Sequence, residues 1–174
     1  MHTDYCRTAR VAMEDRFDEA TGAPLTEEAA NLVARATAKP PPTGGGGGGA
    51  AGSAAVGGQL ASVATVSIAP GTWKYVQIEL RDGGGATKRV VRSFAGRKFH
   101  ADMFEKAMEE LQPLGLRGVV IGGGRIEYDT AAKSVSVYGY SKTFGRAAGC
   151  NEHSASLIRQ ALPECKVTWS DKGY

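Results

Sequence analysis

His100 is the residue whose type and setting carry the most chemistry. It stands immediately before Ala101 to Leu111, where Met103, Phe104, Ala107, Met108 and Leu111 recur at helical spacing and Asp102, Glu105, Lys106, Glu109 and Glu110 fall opposite them. A helix start presents unpaired N–H groups and the positive end of the dipole, so it attracts phosphate and disfavours an imidazolium. A neutral histidine there can act as a general base towards water or as a nucleophile. The same position also suits a histidine that merely caps the helix or faces solvent.

Three cations join it as candidates. Lys74 shares its strand parity with Val76, Ile78 and Leu80, and Arg92 shares its own with Val90 and Phe94. A charge on a core-facing row must snorkel to water or meet an anion. Arg125 follows Gly122, Gly123 and Gly124. Glycines let a backbone approach an anion closely and an arginine fork grips phosphate oxygens in pairs, although such a run also suits a bulge or turn. Ser141 follows Val137 to Tyr140, where a hydroxyl and the next amides could hold an oxyanion or simply form a turn.

What is missing narrows the reaction class. No cysteine has an arginine six positions on, and no R-H-G triplet occurs. The glycines at 44 to 49 are not followed by G-K-S/T, so they form no P-loop. The histidines are His2, His100 and His153 and the carboxylates are scattered, which argues against a two-metal hydrolase. Cys6, Cys150 and Cys165 are odd in number without C-x-x-C spacing, so neither a disulfide framework nor a zinc site is encoded.

The elements that must position these residues lie in the second part of the chain. Strands are predicted over Trp73 to Leu80 and Lys88 to Phe94, then the helix after His100, which Pro113 and Gly115 end. Gly118 to Tyr128, interrupted at Gly122 to Gly124, and Ser134 to Tyr140 read as two more strands. A loop with Gly145 and Gly149 leads to a helix over Glu152 to Leu162 capped by Asn151, and Lys166 to Ser170 closes with a strand. The order β-β-α-β-β-α-β predicts an α+β fold, a mixed sheet of five to six strands with two helices.

Residues 1 to 70 differ in texture, with Pro40 to Pro42, the glycines at 44 to 49 and a long Ala/Gly/Ser/Val stretch. They read as a low-complexity or disordered extension, Lys39 to Gly58 as a flexible linker, with one marginal helix over Leu25 to Thr37 capped by Thr26. Residues 71 to 174 read as the folded domain, so removing residues 1 to 69 is expected to leave activity intact. Charge divides in the same place: 5 Lys/Arg against 7 Asp/Glu before residue 71, and 16 against 11, net +5, from there on. That balance suits a small anion and is too weak for a nucleic-acid binder. No stretch approaches membrane-spanning length and the first twenty residues lack a signal-peptide core. A cytoplasmic monomer without membrane or nucleic-acid partners is expected.

Taken in order, Trp73 to Ile78 (W-K-Y-V-Q-I), Val90 to Arg92 (V-V-R), Phe99 to Phe104 (F-H-A-D-M-F), Gly122 to Ile126 (G-G-G-R-I), Val137 to Ser141 (V-Y-G-Y-S) and the C-terminal V-T-W-S-D-K-G-Y resemble the Janus family of small phosphohistidine phosphatases. The resemblance covers Gly71 to Tyr174. It implies a mixed sheet sandwiched between two helices, and hydrolysis of phosphohistidine, with phospholysine as a further substrate, in proteins, without metal or other cofactor. It places the catalytic histidine on His100. The phosphate site it implies draws on backbone amides beside that histidine, such as Ala101, and on Ser141 and the amide of Thr143, with family cations at Lys74, Arg92 and Arg125. Two local features depart from the family: Phe99 stands where relatives often have tyrosine, and the loop from Arg146 to Glu152 is longer. The expected partners are phosphohistidine-containing proteins. The rival from another class is a non-catalytic module that binds phosphoproteins with the same basic pocket.

Overall fold

The computed structural model describes residues 16–38 and 53–173. In chain order the elements are helix α1 (Glu27–Thr37), helix α2 (Ser53–Ser62), strands β1 (Val66–Ile68), β2 (Gly71–Arg81) and β3 (Thr87–Ser93), helix α3 (His100–Leu111) with a short 3-10 turn after it, strands β4 (Arg117–Asp129) and β5 (Ser134–Tyr138), helix α4 (Cys150–Ala161) and strand β6 (Lys166–Ser170). The six strands form one sheet in the order β1-β3-β2-β4-β5-β6. Its centre is antiparallel, and the parallel pairs β1–β3 and β5–β6 lie at its two edges. This is the α+β mixed sheet expected from the sequence.

Strand alternation decides what each face buries. Val76, Ile78, Leu80 and Val90 pack with Met103, Phe104, Ala107 and Leu111 of α3. Tyr75, Val91, Ile126, Val135 and Val137 pack on the opposite face with Ala155 and Ile158 of α4. The sheet therefore carries one core on each side. The predicted break in β4 does not occur: the strand runs through the glycines, and the irregularity falls one residue earlier, where the β2–β4 register shifts between Gln77 and Ile78.

The boundary drawn at residue 70 needs correction for the described part of the first seventy residues. Phe17, Ala29, Leu32, Ala36, Leu60 and Val63 belong to the same core as α3, with Phe17 and Leu32 each 1% exposed. Burying a large apolar side chain is worth about 1.5–3 kcal/mol, so helix α1, marginal alone, is held by its partner surface. Arg16 reaches Glu105 of α3 with two hydrogen bonds, at 3.0 and 3.3 Å. Strand β1 adds to β3 in parallel, and Lys88 and Arg92 donate to carbonyls of Leu60, Val63, Ala64 and Thr65. A deletion of residues 1 to 69 would strip core residues and an edge strand. Of the expected linker, residues 39–52, including Pro40 to Pro42 and the glycines at 44 to 49, lie outside the described residues, and its remainder starts helix α2. Among the described residues, no helix is long and apolar enough to cross a membrane.

Candidate active site

Helix α3 begins one residue earlier than its apolar stripe suggests. Phe99, with φ −114° and ψ 151°, is its N-cap, and His100 is its first residue. Phe99 has no cap oxygen, but Asp102 reaches back to accept from the Phe99 N–H at 3.3 Å, half of a capping box. The first-turn N–H groups, those of His100 and Ala101 among them, have no intrahelical partner by helix geometry.

The His100 ring is 3% exposed, and its Nε2 lies 2.9 Å from the carbonyl oxygen of Gly124. A carbonyl can only accept, so Nε2 carries the hydrogen. In the neutral ring the basic lone pair is then on Nδ1. Burial is the main cause that pushes the pKa of His100 down to about 4; the Gly124 hydrogen bond opposes the shift, and the positive charges of Lys74 and Arg125 add to it. The ring is a neutral base at any pH near 7.

The three glycines explain how the ring gets there. A Cβ on Gly123 would collide with the carbonyl oxygen of Tyr75 and sit 3.0 Å from His100 Cδ2; one on Gly124 would collide with the carbonyl oxygen of Tyr138. A Cβ on Gly122 would lie 2.8 Å from Cys150 Sγ on the other face. The run therefore serves packing, letting His100 and α4 close on opposite sides of β4.

Lys74 and Arg125 stand directly opposite each other on β2 and β4. Lys74 Nζ lies 5.1 Å from the centre of the Phe99 ring, and burial, followed by the charge of Arg125, holds its pKa below the usual lysine range. Both line a cleft of about 380 Å³ with Glu19, Thr72, Trp73, Arg97, Lys98 and Phe99. A larger cleft of about 530 Å³, between α1, α3 and the start of β4, contains none of the predicted site residues.

His100 and Ala101 are buried and do not themselves line this cleft, although the charges of Lys74 and Arg125 reach the His100 ring. The remaining candidates are placed differently. Arg92 is 3% exposed and donates to the carbonyls of Val91, Ala64 and Thr65, so it braces the segment before β1 instead of joining the cleft. Ser141 is fully buried, and its Oγ accepts from the Phe144 N–H at 3.1 Å, closing a turn. The hydroxyl of Thr143 donates to the Gly22 carbonyl at 2.9 Å. Neither Ser141 nor Thr143 lines the cleft, yet their loop stands at the same end of the sheet, since the charge of Lys142 is felt by Lys74. Asn151, expected as the cap of α4, is buried inside its first turn; the cap is Gly149 at φ 71°.

Sequence reasoning missed Arg97, Lys98 and Glu19. A signal existed for the first two, because R-K-F-H puts them immediately before the candidate histidine. Glu19 had none, being 81 positions away from His100 in a segment read as tail.

The profile of the Janus/Ocnus family matches residues 60–166. The chain belongs to this family. It is 43% identical over 116 residues to the sex-regulated protein janus-A of Drosophila melanogaster, an alignment covering 66% of this chain and 84% of that protein. It is also 36% identical over 129 residues to the 14 kDa phosphohistidine phosphatase of Sus scrofa, covering 69% of this chain and 99% of that protein, and 35% identical over 124 residues to its counterpart in Homo sapiens, covering 66% and 96%. The match to the Janus/Ocnus family begins at Leu60, within α2, so the family region includes β1 and most of both cores, but not Phe17, Ala29, Leu32 and Ala36 of the first or Val167 of the second.

Proposed function

We propose that this Janus/Ocnus protein hydrolyses phosphohistidine in proteins, without a metal ion, with His100 as general base. The observation that carries the proposal is the Gly124 hydrogen bond to Nε2, which leaves the Nδ1 lone pair of a buried, neutral ring for chemistry beside Lys74 and Arg125. The relatives named as phosphohistidine phosphatases support the substrate class. In this reading Nδ1 takes a proton from water as the water oxygen bonds to phosphorus. The P–N bond breaks and its electron pair goes to the substrate imidazole, which already carries a proton on its other nitrogen and so leaves neutral. His100 returns the proton it took to solvent. Lys74 and Arg125 steady the negative charge on the phosphoryl oxygens. A phosphoryl dianion beside the ring raises its pKa from the value that burial and the two cations set, so the base strengthens when substrate is bound.

The test is phosphate release from a phosphohistidine peptide in the presence of EDTA. His100→Ala and His100→Asn should lower turnover by roughly 10²–10⁴-fold, the usual contribution of a positioned base. Equal turnover in wild type and variants removes His100 from the mechanism. Direct attack by Nδ1 on phosphorus is the competing role, and it would reveal itself as a phosphorylated enzyme after an alkaline quench. A wild-type protein that binds the peptide and releases nothing would be a phosphoprotein-binding module instead.

A further inference from the structure

The segment before α1 ends against the cleft. Phe17 packs its ring on Phe99, with centroids 5.2 Å apart. The following turn is tied internally, with Asp18 accepting from the Thr21 N–H and hydroxyl, each at 2.6 Å, and the Gly22 N–H donating to the Asp18 carbonyl at 2.7 Å. It is also tied to the loop after β5: Lys142 Nζ donates to the Ala20 carbonyl at 2.6 Å and the Thr143 hydroxyl to that of Gly22. Arg16, bonded to Glu105, fixes the other end. Held between these anchors, Glu19 places its carboxylate 3.6 Å from Lys98 Nζ. Among the residues lining the cleft it is the one acid, facing Lys74, Arg97, Lys98 and Arg125.

We propose that Glu19 is a specificity-determining residue: an anion supplied by the chain itself, which competes with a phosphoryl group for Lys98 and Lys74 and thereby sets how tightly the cleft holds phosphate. The proposal rests on the reading of this cleft as a phosphoryl site. Glu19 is a monoanion on the rim, with a side chain 75% exposed, whereas a phosphoryl group carries up to two charges. The carboxylate therefore weakens binding without blocking it. A phosphate held only by charge leaves readily, while a protein substrate has further contacts to offset the loss.

Inorganic phosphate is the probe, followed by titration of the His100 ring resonances, with KM for a phosphohistidine peptide measured alongside. Glu19→Gln should tighten phosphate by about two- to fivefold at low ionic strength, the range of an exposed ion pair, and the gain should fade in about 1 M salt. It should be read in KM and not in kcat. Gly22→Val tests the strap without changing charge. Gly22 has φ 71°, and a Cβ there would lie 2.8 Å from Thr143 Oγ1, so the bulkier residue should lift the turn from its seat. It should tighten phosphate by a similar factor, with no further gain in the double variant. Phosphate binding that is unchanged or weaker in Glu19→Gln overturns the proposal even if Gly22→Val fails to fold, and so do fully additive effects of the two changes. If the wild type binds phosphate beside His100 but hydrolyses no phosphohistidine, the phosphatase reading fails and the Glu19 test still decides. If it hydrolyses normally and Glu19→Gln changes nothing, only the role of Glu19 fails.

Discussion

The two faces of β4 bury polar groups in opposite ways. On the α4 face, Tyr75 donates to Asn151 Oδ1 at 2.5 Å, Gln77 Nε2 donates to Ser154 Oγ at 2.8 Å, and Asn151 Nδ2 donates to the carbonyls of Gly139 and Ser170. Burial raises the pKa of the Tyr75 phenol and of the Cys150 thiol, so both stay protonated. On the α3 face, burial and two nearby cations lower that of His100, so it stays deprotonated. Low polarity makes all three groups neutral, but neutrality means different things for them. A neutral phenol or thiol is a poor nucleophile, whereas a neutral imidazole is the reactive base. The same desolvation thus keeps a phenol and a thiol inert on one side of the sheet and leaves a basic imidazole on the other.

The pH dependence of folding should separate the faces most clearly. His100 has a folded pKa of about 4 against 6.5 for the free side chain, so the unfolded chain takes up a proton that the folded one refuses. The stability associated with the neutral ring is complete above pH 6.5 and is lost as the pH falls through 4, by roughly 3 kcal/mol in all. Denaturant unfolding followed between pH 7 and 4 should show this slope, and His100→Asn should lose it. An unchanged slope in the variant would mean that the ring is not buried neutral. Tyr75 and Cys150 should add nothing in this window, because neither changes protonation there.

Asn151→Ala should strike the other side. Tyr75 and the carbonyls of Gly139 and Ser170 would lose a buried partner, which should cost about 2–3 kcal/mol in urea unfolding while leaving turnover per folded molecule within about threefold. A loss of turnover as large as that of His100→Ala would show that the α4 network acts directly on the site. The smallest effects should come from two arginines that looked alike in the sequence. Arg125→Ala should raise KM for the phosphohistidine peptide by about tenfold, equivalent to one lost charge-assisted contact, with little change in unfolding. Arg92→Ala should leave KM alone and destabilise by about 1–2 kcal/mol, because the carbonyls of Ala64, Val91 and Thr65 each lose the arginine as a donor, Thr65 keeping the Val91 N–H. The reverse pattern would return Arg92 to the cleft.

Much of this was legible in the sequence because it rests on local periodicity. The alternation of Val76, Ile78 and Leu80 and the helical stripe from Met103 to Leu111 gave the central strands and α3, and the position of His100 at the helix start followed from them. The parity of Lys74 put it on the core-facing row of Val76, and the structure shows that this row faces α3, with Lys74 over the Phe99 ring. Parity could not separate Lys74 from Arg92, since both sit on core-facing rows and differ only in what lies beyond the end of the strand. For Lys74 that is the cleft, and for Arg92 it is the run of carbonyls before β1. Strand β1 was missed because three residues, Val66 to Ile68, carry too short an alternation to register and are stabilised by pairing with β3.

The first seventy residues mark the limit most plainly. Their composition is that of a tail, and helix α1 has too few residues to persist alone. Only the folded surface of α3 and β4 supplies the apolar partner that makes Phe17 and Leu32 core residues, and only that docking brings Glu19 to the cleft. What the sequence by itself determined is the set of elements and the residue at the head of α3, because backbone periodicity and helix-end electrostatics act over a few residues. The tautomer of His100, the choice of Lys74 and Arg125 over Arg92, and the presence of Glu19 were decided by tertiary structure. Each depends on a carbonyl, a charge or a ring contributed from a distant part of the chain.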